Sequence, residues 1–186
     1  SIAIDLDIPE DRIAYLAQSQ FHIDLECFNG SGNAVFIHSE AETLDLLANL
    51  RRTVRGKDAP LLEKYIEQSK AKLSLSEKIV AANIRAVEAI GCKPIPIAGD
   101  FTAEGNRVNF MNAVLVLEGE EQVLMTNGVA NSPLNHFLKA DFQGRVEDHC
   151  PALKILFVAD QTAVLQQNLS ENHGGLHCMT WKNPVD

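Results

Sequence analysis

The sequence has no pair of cysteines separated by two residues, although it contains four cysteines: Cys27, Cys92, Cys150 and Cys178. Structural zinc sites usually contain such pairs, and disulfide frameworks are typical of much shorter secreted chains. The spacing therefore argues against both. We expect reduced thiols and a reducing, cytoplasmic compartment.

Long apolar stretches are also missing. The longest apolar runs, at 113–117 and 155–159, have the length of buried strands and are too short for a membrane-spanning helix. The first residues lack the basic, apolar and small-residue order of a signal peptide. The sequence therefore predicts no membrane partner.

Positive charge is scarce, with 16 Lys and Arg against 25 Asp and Glu, a net charge of −9. Such a surface repels phosphate backbones, which argues against nucleic acid as a partner. It suits small cationic ligands better.

Hydrophobic periodicity predicts an α/β chain. Capping-box patterns at Ser39–Glu42 and Ser74–Glu77, and Pro60 between them, predict three helix starts, with helix ends near Gly56 and Gly91. Strands are predicted at 1–8, 21–28, 34–38, 94–98, 110–117, 122–126, 154–159 and 176–181. Further helices are predicted at 9–17, from Ser132, and at 162–169, with a hairpin turn at 29–33 and a glycine-rich loop at 99–106. Because no linker or change of composition divides the chain, we expect residues 1–186 to form a single α/β unit.

The segment FHIDLECF, residues 21–28, contains the first candidate site. A strand would place His22, Asp24 and Glu26 on one face, with neighbours on that face about 7 Å apart. An imidazole and a carboxylate at that distance can serve one ligand together. Spacing alone favours the simpler alternative, a solvated strand face.

A second candidate lies in HGGLHCMTW, residues 173–181. Gly174 and Gly175 would let a ligand approach the sulfur of Cys178, which is reactive only where a cation or a helix N-terminus favours the thiolate. The alternative is an inert cysteine in a buried terminal strand. His177 would point to the opposite face of that strand.

Other patterns are weaker. His38-Ser-Glu40 matches the HxE of zinc deaminases, but the PCxxC that supplies their other ligands is missing. The glycines of NGSGN lack the Lys-Ser/Thr of a phosphate-binding loop, so a hairpin turn is predicted there. His22 precedes Cys178, which is not the order of papain-like proteases.

Together these segments resemble the guanidine-modifying, or pentein, superfamily, which includes agmatine, arginine and peptidyl-arginine deiminases. FHIDLECF is similar to the family's Gly-His-x-Asp strand. RVNFMNAVLVLEGEEQVLM, residues 107–125, is similar to a strand pair with a functional Asn, matched here by Asn112. HGGLHCMTW is similar to the terminal Gly-rich His-Cys-x-Thr motif. The resemblance implies a partial pentein α/β-propeller, about half of the five-repeat fold, and thus the C-terminal half of a catalytic domain.

The resemblance also implies a mechanism. Cys178 would attack a guanidinium carbon, His22 would act as general acid and then general base, and Asp24 would hold the substrate, with Asn112, Gly174 and Gly175 lining the site. The product would be a ureido compound such as citrulline, and neither a metal nor an organic cofactor is implied. The substrate would be arginine, agmatine or an arginyl peptide.

The chain departs from the family in length. Family members take a second carboxylate from a preceding half, so this chain would need that half or a second chain as a partner. Glu26 is a conceivable local substitute. HGG also lacks the acidic residue that some peptidyl-arginine enzymes have in this motif. The alternatives are a related amidinotransferase or dimethylarginine hydrolase, a cysteine hydrolase acting on amides, and a catalytically incomplete binding or assembly module.

Overall fold

The computed structural model describes residues 9–19, 23–118 and 121–158. Four predicted site residues lie outside these ranges: His22, Gly174, Gly175 and Cys178. The same holds for the strands predicted at 1–8 and 176–181 and for the helix predicted at 162–169.

The described residues form eight strands and three α-helices. The strands are β1 (Cys27–Asn29), β2 (Ala34–His38), β3 (Lys93–Ile97), β4 (Asp100–Ala103), β5 (Asn106–Asn109), β6 (Val114–Glu118), β7 (Glu121–Asn127) and β8 (Lys154–Val158). The helices are α1 (Glu40–Leu50), α2 (Ala59–Ala89) and α3 (Pro133–His149). Three short 3₁₀ turns cover Glu10–Arg12, Ile23–Leu25 and Gly56–Asp58. No helix within these ranges has both the length and the apolarity needed to cross a membrane.

Two parts of the chain repeat the same topology. β1 pairs antiparallel with β2, and β3, which follows the helices α1 and α2, returns parallel to β2. Likewise β6 pairs antiparallel with β7, and β8, which follows α3, returns parallel to β7. The β4–β5 hairpin connects these two ββαβ units. The fold is therefore mixed α/β, as predicted, and its described sheets are small and open.

One aromatic core joins the two units. Phe28 stacks on Phe36 in the first sheet, with ring centroids 4.8 Å apart, and Phe28 also contacts Phe142 of α3. Phe142 packs against Phe110 at 5.0 Å, and Phe110 meets the edge of Phe157 on β8 at 5.7 Å. Because these rings come from both sheets, the two units share a hydrophobic interior.

Several local predictions are confirmed. Strand 34–38 and the turn before it are present, with Gly32 at a φ of 67°. Ser39 and Ser132 cap α1 and α3, since their hydroxyl oxygens accept from the backbone N–H groups of Glu42 and Asn135. Helix α1 nevertheless ends at Leu50, earlier than the predicted stop at Gly56.

The division of residues 57–91 into two helices is wrong. Residues 59–89 form one continuous helix, and Ser74 lies inside it. The segment between Pro60 and Gly91 contains no proline or glycine, so nothing in the backbone stops the helix at Ser74. The helix has buried residues on both sides of the predicted break, at Leu62, Tyr65, Ile66 and Ser69 before it and at Asn83 and Val87 after it.

The predicted loop at 99–106 is a hairpin instead. Strands β4 and β5 are joined at Gly105, whose φ is 69°. Phe101 and Val108 are paired across it and face the core. A buried ion pair also crosses it, with Arg107 Nη2 2.7 Å from Asp100 Oδ2. The glycines predicted a turn here, but the sequence did not predict the pairing of the two strands that flank it.

Residues 9–17 do not form the predicted helix. Only Glu10–Arg12 is helical, as a 3₁₀ turn. The following residues cross helix α2, where Asn83 donates to the carbonyl of Ala17 at 2.9 Å and accepts from its N–H at 2.8 Å. This side chain takes both backbone groups of Ala17, which favours an extended path over a helical one.

Candidate functional site

Asp24 lies in a 3₁₀ turn, and the strand predicted over 21–28 is wrong at this position. The turn covers Ile23–Leu25, and its bond is donated by the N–H of Glu26 to the carbonyl of Ile23 at 2.9 Å. Strand β1 begins only at Cys27. Alternation in the sequence suits both strands and such short segments, so periodicity alone could not separate them.

Buried asparagines explain why the chain turns there. Asn109 donates its side-chain amide to the carbonyl of Leu25 at 3.0 Å and accepts the backbone N–H of Asn112 at 2.8 Å. Asn127 in turn donates to the carbonyl of Asn109 at 2.6 Å. All three asparagines are at most 1% exposed. The side chains therefore occupy backbone groups that a strand ladder would otherwise use.

Two predicted site residues meet. Asn112 Nδ2 donates to Asp24 Oδ2 at 2.8 Å, and it lies 3.4 Å from the backbone carbonyl oxygen of Asp24. The two residues are separated by 88 positions in the chain. Because Asn112 is fully buried while Asp24 is half-buried, the hydrogen bond from Asn112 reaches the carboxylate from the protein interior.

Asp24 lines an open cleft of about 410 Å³ between β1 and the start of β6. The cleft is bounded by Leu16, Ile23, Asp24, Cys27, Phe28, Asn29, Ala113, Val114 and Leu115. Among these described lining residues Asp24 is the one carboxylate. The cleft is thus an open groove of mixed polar and apolar surface with a negative charge fixed in its wall, a setting suited to a flat organic cation.

Cys27 also lines this cleft, but it is a poor nucleophile. Burial, together with the negative charges of Glu26 and Asp24, raises the pKa of its thiol from 9.0 to about 12. The thiol stays protonated near neutral pH, and the thiolate is the reactive form. Any nucleophile acting at Asp24 must therefore come from elsewhere.

Glu26 does not share the face of Asp24. It is 5% exposed and lines a separate cavity with His38. Its carboxylate accepts the backbone N–H of Ser19 at 3.0 and 3.2 Å and also the Ser19 hydroxyl. The 3₁₀ turn breaks the two-residue alternation, so the shared face expected for Asp24 and Glu26 is wrong.

Asn109 and Asn127 were not among the predicted site residues. Asn109 precedes Asn112 by three positions in RVNFMN, a spacing that allows the Asn109 side chain to accept the Asn112 N–H. Asn127 has no such local signal, because its contact depends on β7 lying beside the β5–β6 connection. His22, Gly174, Gly175 and Cys178 lie outside the described residues.

Comparison of the chain with protein-family models, with curated proteins and with solved structures gave no match.

Proposed function

We propose that this chain provides the catalytic half of a guanidine deiminase, which hydrolyses a guanidinium group to a ureido group and ammonia. The observation that supports this best is the Asp24 carboxylate in the wall of an open cleft, held by Asn112 at 2.8 Å. The resemblance matched these two residues to substrate-binding positions, and they are 88 positions apart in the chain.

The cleft has the chemistry to bind a guanidinium. This planar cation offers N–H donors in a fork that matches a carboxylate, and such charge-assisted hydrogen bonds are about twice as strong as neutral ones. The net charge of −9 also favours the approach of cations. The apolar side chains among the lining residues would face the methylene chain of arginine or agmatine.

The reaction proceeds through a covalent adduct. The Cys178 thiolate attacks the central guanidinium carbon and forms a C–S bond. The C–N bond then breaks, and His22 gives a proton to the departing ammonia. His22 next takes a proton from water as the water adds to the amidino-thioether carbon. The C–S bond breaks, which releases the ureido product and restores the thiolate. No metal or organic cofactor takes part.

The proposal includes a second carboxylate from a preceding half or a second chain, because Asp24 is the one carboxylate among the described lining residues of the cleft. The two ββαβ units support a pentein-like repeat. Five such repeats would close a propeller, and these two units would form part of it. A reduced Cys178 suits a cytoplasmic location.

Two alternatives differ in what they predict. An amidinotransferase or dimethylarginine hydrolase would use the same nucleophile with an amine other than ammonia as leaving group, so the mass of the products separates them. The single carboxylate in the described cleft wall favours the other alternative, a binding or assembly module that lacks turnover. Such a module would bind arginine or agmatine without releasing ammonia.

The test is ammonia release from agmatine, free arginine and an arginyl peptide by the protein with its preceding half or partner chain present, and Cys178→Ala is the inactive control. We expect ammonia and a ureido product with at least one substrate, and neither with the variant. Unchanged ammonia release by Cys178→Ala contradicts the mechanism. Release of a larger amine in place of ammonia would show a transferase or an alkylguanidine hydrolase and not a deiminase.

A further inference from the structure

A second cavity, of about 150 Å³, lies between the end of β2 and the middle of helix α2. It has no lining residue in common with the Asp24 cleft. His38 and Glu40 line it from the side of β2 and the start of α1, and Lys72 and Ser76 line it from α2. The cavity is therefore separate from the proposed deiminase site.

Two deeply buried side chains in this cavity have polar atoms left over. His38 is 8% exposed and Glu40 is 5% exposed. His38 Nε2 lies 3.4 Å from Glu40 Oε1, and Lys72 Nζ lies 3.9 Å from the same oxygen. Within the described part of the chain, neither ring nitrogen of His38 has a hydrogen-bond partner, and Glu40 Oε2 has none either. Buried polar atoms are nearly always paired, so these three atoms point to a ligand.

The charges around the cavity select a cation. Glu26 and Glu40 are both acidic lining residues, while Lys72 is the one lysine or arginine among the described lining residues. Lys72 is 43% exposed and approaches Oε1, not Oε2. Glu26 receives its described hydrogen bonds from the uncharged Ser19. With His38 uncharged, one carboxylate charge therefore remains without a cation beside it.

The leftover atoms also specify the type of donor. A neutral imidazole has one acceptor nitrogen, and neither ring nitrogen of His38 is hydrogen-bonded, so His38 presents an acceptor to the cavity. Glu40 Oε2 is an acceptor too, so the ligand must donate at least two hydrogen bonds. A protonated primary amine has three donors and one positive charge.

The rest of the wall limits the ligand's size and tail. Ile37, Ile79 and Val80 supply apolar surface, and a cavity of about 150 Å³ admits a molecule as large as benzene. The described residues hold no group of three or more His, Cys, Asp or Glu side chains placed to bind a metal ion. An organic ammonium with a short aliphatic chain fits these features.

We propose that this cavity is a second binding site, which takes a small aliphatic primary ammonium ion. The ammonium donates to Glu40 Oε2 and to the acceptor nitrogen of His38, and its alkyl chain packs against Ile79 and Val80. This site does not depend on the proposed deiminase function.

The experiment is a titration of the full chain with n-butylammonium, followed through backbone amide chemical shifts in NMR spectra. We expect saturable shifts at residues 38–40 and 76–80 that persist in the Asp24→Asn variant. The anion n-butyrate, of similar shape, should cause no saturable shifts there. This comparison needs no substitution in the cavity itself, so it holds even where a cavity variant fails to fold.

Glu40→Gln keeps the shape of the side chain and removes its charge. It should raise the Kd for n-butylammonium about tenfold, the effect expected for losing one charge-assisted hydrogen bond. Glu67→Gln, an exposed change on the same helix α2, should leave the Kd unchanged. The proposal is overturned if n-butylammonium shifts only residues near Asp24, if n-butyrate binds equally well, or if Glu40→Gln leaves the Kd unchanged.

Discussion

Asp24 and Glu26 are two residues apart, yet the fold uses them differently. Asp24 is half-buried in the wall of an open cleft, where an asparagine amide holds it. Glu26 is 5% exposed, and Ser19 donates to both of its oxygens. Both are carboxylates on the same short segment, so their type and spacing cannot explain the difference.

The turn between them explains it. Asn109 and Asn112 bind the backbone carbonyls of Leu25 and Asp24, and the chain therefore turns before β1 begins. Asp24 then lies beside Ala113 and Val114, while Glu26 lies beside His38. Remote asparagines thus decide which of two neighbouring acids can meet a ligand in the cleft.

The largest predicted difference between the two acids is in activity. Asp24→Asn should lower kcat/KM for deimination by about 10²- to 10⁴-fold, because two charge-assisted hydrogen bonds at about 1.5–3 kcal/mol each are lost. Glu26→Gln should change kcat/KM by no more than a few fold, with Glu67→Gln as the exposed control. Equal losses of kcat/KM in Asp24→Asn and Glu26→Gln would contradict the different roles assigned to the two acids.

A third carboxylate, Asp100, shows what full ion pairing does. Burial by itself would raise its pKa, but the charge of Arg107 and its hydrogen bonds outweigh this, and the pKa falls from 3.8 to about 2. Breaking such a buried pair by Asp100→Ala should cost about 3–5 kcal/mol in the free energy of unfolding. Denaturant unfolding measures this, with Asp45→Ala on the exposed face of α1 as the control.

The same pair predicts a dependence on pH. Because the folded pKa of Asp100 is lower than the unfolded one, the unfolded state binds more protons between about pH 4 and pH 2. The stabilisation, about 2 kcal/mol, is present above that window and is lost as the pH falls through it. Asp100→Asn should flatten this part of the stability profile. A profile as steep as that of the unaltered chain would contradict the assignment.

The next prediction compares the effects of Glu26→Gln and Asp24→Asn on the free energy of unfolding. Glu26→Gln should lower the free energy of unfolding by about 1–3 kcal/mol, because a buried charged acceptor of the Ser19 donors is lost. Asp24→Asn should cost less than about 1 kcal/mol, since its replacement can still accept from Asn112. Urea midpoints at constant m-value give both numbers. A costlier Asp24→Asn would mean that Asp24 has mainly a structural role.

The smallest predicted effect is at Asn112. Asn112→Ala removes the donor that orients Asp24, worth about 1 kcal/mol, so kcat/KM should fall about 5- to 10-fold through a higher KM. The assay is run below the unfolding transition of the variant, since Asn112 is fully buried. Asn49→Ala, at an exposed position of α1, is the matched control. An unchanged KM would show that Asp24 needs no such support.

The sequence predicted features that depend on near neighbours. The serine caps of α1 and α3 and the turn at Gly32 each involve residues a few positions apart. Prediction from the sequence failed where a local pattern competed with the structure formed by the surrounding residues. Ser74–Glu77 has the form of a capping box, but it lies within a continuous helix that has buried residues on both sides of it.

The site shows the same limit. Resemblance brought Asp24 and Asn112 together across 88 positions, and the structure shows the contact between them. The turn at Ile23–Leu25 and the supporting bond from Asn127 depend on tertiary packing, so no period or spacing in the sequence indicates them. His22 and Cys178 stay predictions.

The central claim is that Asp24 guides a flat cation to the sulfur of Cys178. The most direct test is the labelling of the folded chain by 2-chloroacetamidine near pH 7, with the modified cysteines located by mass spectrometry and neutral iodoacetamide as the control reagent. We predict that Cys178 reacts much faster than Cys27, whose pKa is raised to about 12, and that Asp24→Asn slows only the amidine reagent. Labelling of Cys178 no faster than Cys27, or amidine labelling that Asp24→Asn leaves unchanged, would contradict the account.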